Sequence, residues 1–276
     1  MKKAIPYMVI SALAFTLLNV SIKQLKSFDV YQIVFFRSVG SLFFTIPLIF
    51  KSKLSPFGNK KGLLIIRSVV GLISMIFFFK SLKYLPMGFA VSLRYIAPIF
   101  ASFFALLLLN EKVKPIQWLF FVIAFSGVLM LRGFDTPAQN IGLLFALVSA
   151  IFAGLVYIAI RKIGNQDHPL IVVNYFMIIS AVVAGLMTFP NWIQPMGYEL
   201  LIFLSLGLFG YFGQFYMTKA MQIGETNQVA PLKYLEVLFT IFIGLIWLNE
   251  TYTIYSLFGV SLIVIGLSLN VMVKKN

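Results

Sequence analysis

A chain of 276 residues that is 61% hydrophobic and only 11% charged cannot cover itself with polar surface, since a soluble domain is about a quarter charged; with a mean hydropathy of +0.97, hydrocarbon is its expected solvent. The formal net charge of +14 raises nucleic acid as a partner, but the cations punctuate apolar runs where a contiguous solvated patch would be needed, which argues against it. Cysteine is absent, so disulfide scaffolds, cysteine metal sites and thiol nucleophiles are excluded.

A spanning helix requires about 18 or more predominantly apolar residues. Reading apolar runs between charged or Pro/Asn/Gly-rich breaks predicts ten spans: Ile5–Ser21, Val30–Phe50, Gly62–Phe79, Phe89–Leu109, Pro115–Leu131, Ile141–Ile160, Pro169–Phe189, Tyr198–Met217, Val229–Leu248 and Ile254–Met272. Lys2 and Lys3 ahead of the first run resemble a signal peptide, but no small-residue cleavage site follows, so this run reads as the first helix. The connections are short, which favours antiparallel neighbours and leaves no soluble domain; binding has to occur inside the bundle.

The cations orient the spans. With the N-terminus in the cytoplasm, the inner segments hold Lys2, Lys3, Lys51, Lys53, Lys60, Lys61, Lys112, Lys114, Arg161, Lys162, Lys274 and Lys275, and the outer ones only Lys23, Lys26, Lys83 and Arg132. That is the positive-inside bias, and an even number of spans returns the C-terminus to the cytoplasm. The expected location is a bacterial cytoplasmic (inner) membrane, multi-pass, with both termini cytoplasmic.

The chain also repeats itself. Leu109-Asn110-Glu111 closes the fourth span and Leu248-Asn249-Glu250 the ninth, and the same shift of 139 positions pairs Gly71 with Gly210, Lys80 with Lys219, Arg94 with Lys233, Tyr95 with Tyr234 and Gly127 with Gly266. A shift of 138 pairs Ser11-Ala12 with Ser149-Ala150 and Lys23 with Arg161. Five spans per half is an odd number, so the second half enters the membrane from the opposite side and the repeat is inverted. The expected fold is therefore an all-α integral membrane protein of ten transmembrane helices, with one five-helix repeat in residues 1–135 and its inverted partner in 136–276. Inverted repeats are common in secondary transporters, where two similar halves exchange conformations to alternate access.

The runs Leu93-Arg94-Tyr95 through Asn110-Glu111 and Ala230-Pro231-Leu232-Lys233-Tyr234-Leu235-Glu236 through Asn249-Glu250 resemble the EamA-type repeats of the drug/metabolite transporter superfamily. The resemblance covers nearly the whole chain. It implies a basket of helices around a central cavity drawn mainly from the first, third and fourth helices of each half, and a cargo among amino acids, nucleotide-derived metabolites, vitamins or drugs. The second run also looks like members that carry S-adenosylmethionine or riboflavin.

Ionisable groups inside spans are costly and face the interior or water, which makes each a functional candidate. Lys80, Lys219 and Arg67 lie toward span ends, where a long side chain can snorkel to the headgroups, and they read as anchors. Glu111 and Glu250 read as helix terminators. Arg37, Arg94 and Lys233 lie deeper, about 6–11 Å inside at a rise of about 1.5 Å per residue. Glu236 is the one acidic residue well inside a span, its counterpart in the first half is Ala97, and Lys233 sits at i−3 on the same helix face. It either serves binding or proton coupling or forms a structural ion pair with Lys233. Among uncharged groups, Asn19, Tyr95, Tyr157, Gln214 and Tyr234 are candidates to hydrogen-bond a solute; Tyr7, Asn174, Tyr211 and Tyr216 fit helix-to-helix bonding as well. Trp118, Trp192 and Trp247 read as interface anchors.

The candidate site is thus Glu236, Lys233, Arg94, Arg37, Tyr95, Tyr234, Asn19, Tyr157 and Gln214. His168 falls in a turn, and one histidine makes no metal site, so neither metal nor cofactor is expected. An integral-membrane enzyme would need a clustered catalytic constellation, and a channel would want rings of like residues; no nucleotide-binding spacing is present, so ATP is not the driving force. The reading favoured is a secondary active transporter, not an enzyme, working by alternating access on a small metabolite with an anionic or zwitterionic group. Its expected partners are that solute, the lipid bilayer and a coupling proton; an enzyme or an uncoupled channel component is the alternative.

Overall fold

The computed structural model describes residues 4–25, 27–85, 87–110, 114–130, 140–247 and 254–273. Among them the secondary structure is entirely helical, in twelve α-helices: α1 Ala4–Gln24, α2 Val30–Lys51, α3 Lys61–Tyr84, α4 Met87–Arg94, α5 Ala97–Leu108, α6 Pro115–Met130, α7 Asn140–Ile163, α8 Pro169–Thr188, α9 Tyr198–Ile223, α10 Thr226–Val229, α11 Leu235–Trp247 and α12 Ile254–Met272. Six of these, α1, α2, α3, α7, α8 and α9, are long and apolar enough to cross a membrane. Their outward faces carry large apolar side chains, with Phe43 74%, Leu186 73% and Phe50 72% exposed, as a helix in hydrocarbon requires. The glutamates read as terminators, Glu111 and Glu250, lie outside the described residues.

Local chemistry sets the helix starts. Asp29 precedes α2 and accepts from the Tyr31 N–H at 3.0 Å, satisfying one of the unpaired donors of the first turn. His168 does the same for α8, its Nδ1 accepting from the Leu170 N–H at 3.2 Å, and Pro169 follows at a position where a missing N–H costs nothing.

The structure departs from the sequence reading in the fourth and ninth spans, which are broken where continuous helices were expected. The fourth is α4 and α5 interrupted at Tyr95-Ile96; the ninth is α10, a 3₁₀ turn over Ala230–Tyr234, and α11. Proline explains both breaks, because it lacks the N–H and its ring collides with the carbonyl four residues earlier. Pro98 lies in the first turn of α5 and Pro231 in the first turn of the 3₁₀ segment. The prolines occupy different positions in the two spans, Pro98 following its break and Pro231 lying within its own.

Packing pairs elements distant in sequence. α1 lies on α9 and α3 on α7, α2 lies on α8 and α9, and α6 lies on α12. The α2–α9 crossing depends on two glycines: a Cβ on Gly40 would stand 2.8 Å from the Gly207 Cα, closer than atoms can pack. One turn from this contact, Arg37 and Gly210 meet in the same way, the arginine stem filling the space above the glycine. Backbone contact between α2 and α9 is therefore what turns Arg37 toward the middle of the bundle.

Candidate substrate-binding cavity

The interior of an apolar bundle tolerates charge only where partners or water compensate it. Here a small cavity of about 30 Å³ lies in the middle of the bundle, lined by residues of α1, α2, α3, α4, α7, α8, α9 and the 230–234 turn. That is room for roughly two water molecules, so a solute enters only if the helices part.

Four cations reach the cavity: Arg37, Arg67, Arg94 and Lys233. Arg37, Arg67 and Lys233 are 2%, 0% and 6% exposed. The ammonium of Lys233 donates to Glu236 Oε2 at 2.6 Å and lies 4.0 Å from the centroid of the Phe15 ring. The other carboxylate oxygen of Glu236 accepts from Asn19 Nδ2 at 2.9 Å, and the Glu236 backbone carbonyl accepts from Thr16 Oγ1 at 3.4 Å. α1 thus clasps the start of α11 through one acid, with the 3₁₀ turn aiming the lysine back along it.

The arginines are held differently. Arg67 donates to Gln214 Oε1 at 2.8 Å and stacks over Phe176 at 4.2 Å; its Nε and Nη1 have no protein acceptor. Arg37 points Nη1 at the Met75 sulfur, lies 6.0 Å and 5.9 Å from the centroids of Phe79 and Phe176, and has an Nε without an acceptor. Arg94 lies over Phe78 at 4.1 Å. Aromatic faces stabilise a guanidinium without neutralising it, so the charge of all three remains available to a ligand. Among the described residues no carboxylate pairs with any of them.

The cavity brings together Asn19, Arg37, Arg94, Tyr157, Gln214 and Lys233 of the residues singled out from sequence. Glu236 stands behind Lys233 and Asn19. Tyr95 and Tyr234 lie apart from the lining and meet each other in the two helix breaks, Tyr234 donating its hydroxyl to the Tyr95 carbonyl at 2.6 Å with the rings 5.3 Å apart. Arg67 corrects the sequence reading: it is fully buried, because the helix carrying it begins at Lys61 and turns that face inward. The signal for it was present, since Arg67, Gly71 and Ser74 fall at i, i+4 and i+7, a polar and small-residue stripe along one face of α3, and all three line the cavity. By contrast, Lys80 and Lys219 are half-buried away from the cavity, each held by two aromatic rings: Tyr31 and Phe145 around Lys80, Tyr7 and Phe215 around Lys219. Asn174 bonds Thr45 across α2 and α8 at 2.9 Å, a helix-to-helix contact.

A second hollow, of about 430 Å³, opens among the ends of α1 and α3 and the start of α2, with Lys23 and Lys83 among its lining residues. Phe79 lines both this vestibule and the central cavity.

The sequence profile of the EamA-like transporter family matches residues 2–133 and again residues 140–272. The chain belongs to the EamA-like transporter family. It is similar to human solute carrier family 35 member G1, 28% identical with 98% of this chain and 78% of the relative covered. It also resembles the pseudopaline exporter CntI of Pseudomonas aeruginosa, 24% identical over 96% of this chain and 95% of the exporter, and an S-adenosylmethionine uptake transporter of Rickettsia prowazekii, 24% identical over 80% and 75%. A solved crystal structure shares the fold with a TM-score of 0.85 at 16% identity, covering 98% of both chains. An EamA-family chain with apolar helices of spanning length is a multi-pass membrane transporter, and the names of its relatives place small molecules, not a reaction, at its centre.

Proposed function

We propose that this EamA-family member is a secondary transporter that carries a small metabolite with an anionic or zwitterionic group across a bacterial cytoplasmic membrane by alternating access. Two inverted five-helix halves, residues 1–135 and 136–276, rock about the central cavity, with both termini cytoplasmic. The observation that carries this reading is the buried cavity itself: four cations and one engaged carboxylate, drawn from helices on both sides of the chain midpoint, where a mere scaffold has no use for uncompensated charge. Support for the symmetry comes from the packing, in which α1 on α9 mirrors α3 on α7 while α2 and α6 meet their own counterparts α8 and α12. The breaks at 95–96 and 230–234 place irregular backbone beside the cavity, a feature of transporter binding sites.

In this mechanism the three arginines attract and orient the anionic part of the solute, Gln214 holds Arg67 in place, and Asn19 and Tyr157 supply hydrogen bonds. Glu236 is the coupling group. Lys233 donates to its carboxylate in this state, and a conformational step that draws Lys233 toward a bound anion breaks that pair and frees the carboxylate for its coupling role.

Reconstituted protein on a solid-supported membrane, challenged with amino acids, nucleosides, S-adenosylmethionine, vitamins and organic acids, tests the reading. A solute-dependent, pH-dependent current is expected from the parent and its loss from Glu236→Gln that remains folded and monodisperse. Equal currents from both across pH would remove coupling from Glu236. If Glu236→Gln fails to fold while Lys233→Glu/Glu236→Lys restores the protein, the pair is scaffold.

A further inference from the structure

Once Lys233 is matched with Glu236, the cavity retains three guanidiniums with no acidic partner among the described residues, a formal charge of +3 from four cations and one carboxylate. They are close enough that Arg94 and Arg67 both repel Arg37. Among the described residues nothing relieves this repulsion: the neighbours found for the three groups are rings, a thioether and an amide oxygen. Arg37 Nε and Arg67 Nε and Nη1 are buried donors without a protein acceptor, and such donors are rare unless something else supplies the acceptor. Guanidinium forks match the planar oxygens of carboxylates and the oxygens of phosphates.

We propose that the central site takes a compact polyanion, a solute with at least two carboxylate or phosphate groups within one small molecule. This rests on the transport reading above and narrows it. A monoanion would leave two buried positive charges unmatched. A zwitterion would bring an ammonium into a field set by the arginines, and the carboxylate best placed to receive it, Glu236, already accepts from both Lys233 and Asn19. A solute with two or more anionic groups answers Arg37 and Arg67, which both lie against the Phe176 ring, with Arg94 meeting any further charge. The vestibule agrees in sign, since the charged residues in its lining are Lys23 and Lys83.

The test is thermal unfolding of the full-length protein in detergent at constant ionic strength with acetate, alanine, succinate, citrate or inorganic phosphate. A ligand that binds only the folded state raises Tm with saturation. Succinate, citrate or phosphate is expected to raise Tm by several degrees and saturably, with acetate and alanine without effect. Which of these probes acts best separates carboxylate from phosphate recognition. Arg67→Lys, which keeps the charge and loses the fork, should weaken the response about tenfold in apparent Kd, and Arg67→Gln should abolish it. Where a variant folds poorly, the ranking of the five probes on the parent decides alone. Stabilisation by alanine or acetate equal to that by the polyanions overturns the proposal, as does an unsaturable rise common to all salts, or no response to any polyanion. None of those results touches the transport reading, which instead fails if polyanions bind saturably yet reconstituted protein moves no solute.

Discussion

Where α2 gives way to α3, the bundle is tied shut. Asp167, between α7 and α8, accepts from the backbone N–H groups of Asn59 at 2.5 Å and Lys60 at 2.9 Å; Tyr175 donates to the Phe57 carbonyl at 2.7 Å; and Gln222, near the end of α9, donates to the Asp167 carbonyl at 2.8 Å. The opposite end is held differently. There Gln32 and Ile193 exchange hydrogen bonds, while the ends of α1, α2 and α3 stand apart around the vestibule of about 430 Å³. The contrast teaches that the two ends of one bundle can be held by different means. On the proposed mechanism they would serve as the two doors, one held by a carboxylate on backbone donors, the other bordered by Phe79, which lines both the vestibule and the central cavity.

The contrast breaks most visibly through accessibility. Because the chain lacks cysteine, single cysteines report without background. Lys83→Cys, at the vestibule, should react with an impermeant maleimide in intact cells, and Asn59→Cys, at the sealed end, only after permeabilisation. The reverse pattern would invert the proposed orientation.

Next in size is the central acid. Glu236→Ala strands the buried Lys233 ammonium and should destabilise the protein by about 3–5 kcal/mol, as removal of one member of a buried pair does. Glu236→Ala with Lys233→Met should regain most of that loss in denaturant-induced unfolding. If the double variant is no better than the single, the pair is not the unit of stability.

The seal itself should respond more modestly. Asp167→Ala leaves two backbone donors without their acceptor, a cost of about 1–3 kcal/mol if they stay buried, and should raise the reactivity of Met217→Cys in the cavity wall toward reagent supplied from the sealed side. Unchanged reactivity would show that Asp167 only braces loops.

The smallest effect belongs to His168. Burial, with Lys219 adding to it, holds its imidazole below the ordinary histidine pKa, which suits a ring nitrogen that accepts from Leu170. The folded state thus favours the neutral ring. Its capping contribution is complete above the unfolded-state pKa of about 6.5 and fades as pH falls through the lowered folded-state value. Comparing Tm against pH for the parent and for His168→Asn, which caps without titrating, should show the two curves diverging only on the acid side.

The sequence by itself determined that this chain lives in a membrane, because hydropathy is a property of residues and spacing; of the nine candidates singled out by the expense of buried polar and charged groups, Asn19, Arg37, Arg94, Tyr157, Gln214 and Lys233 line one cavity, while Tyr95 and Tyr234 lie apart from it. The Lys233–Glu236 pair was legible for the same reason, three residues apart on one helical face. Arg67 was not read as interior, since distance from a span end was weighed and helix face was not. Nor were the helix breaks beside Tyr95 and Tyr234 foreseen, although Pro98 and Pro231 stood in view; a proline weakens a helix locally, and whether the chain bends there depends on what packs against it. Only the tertiary structure could decide that Asp167 meets Asn59 and Lys60, and that Phe79 lines two cavities. The Asp167 contacts join residues 107 and 108 positions apart, and no local pattern encodes which distant face a side chain will find.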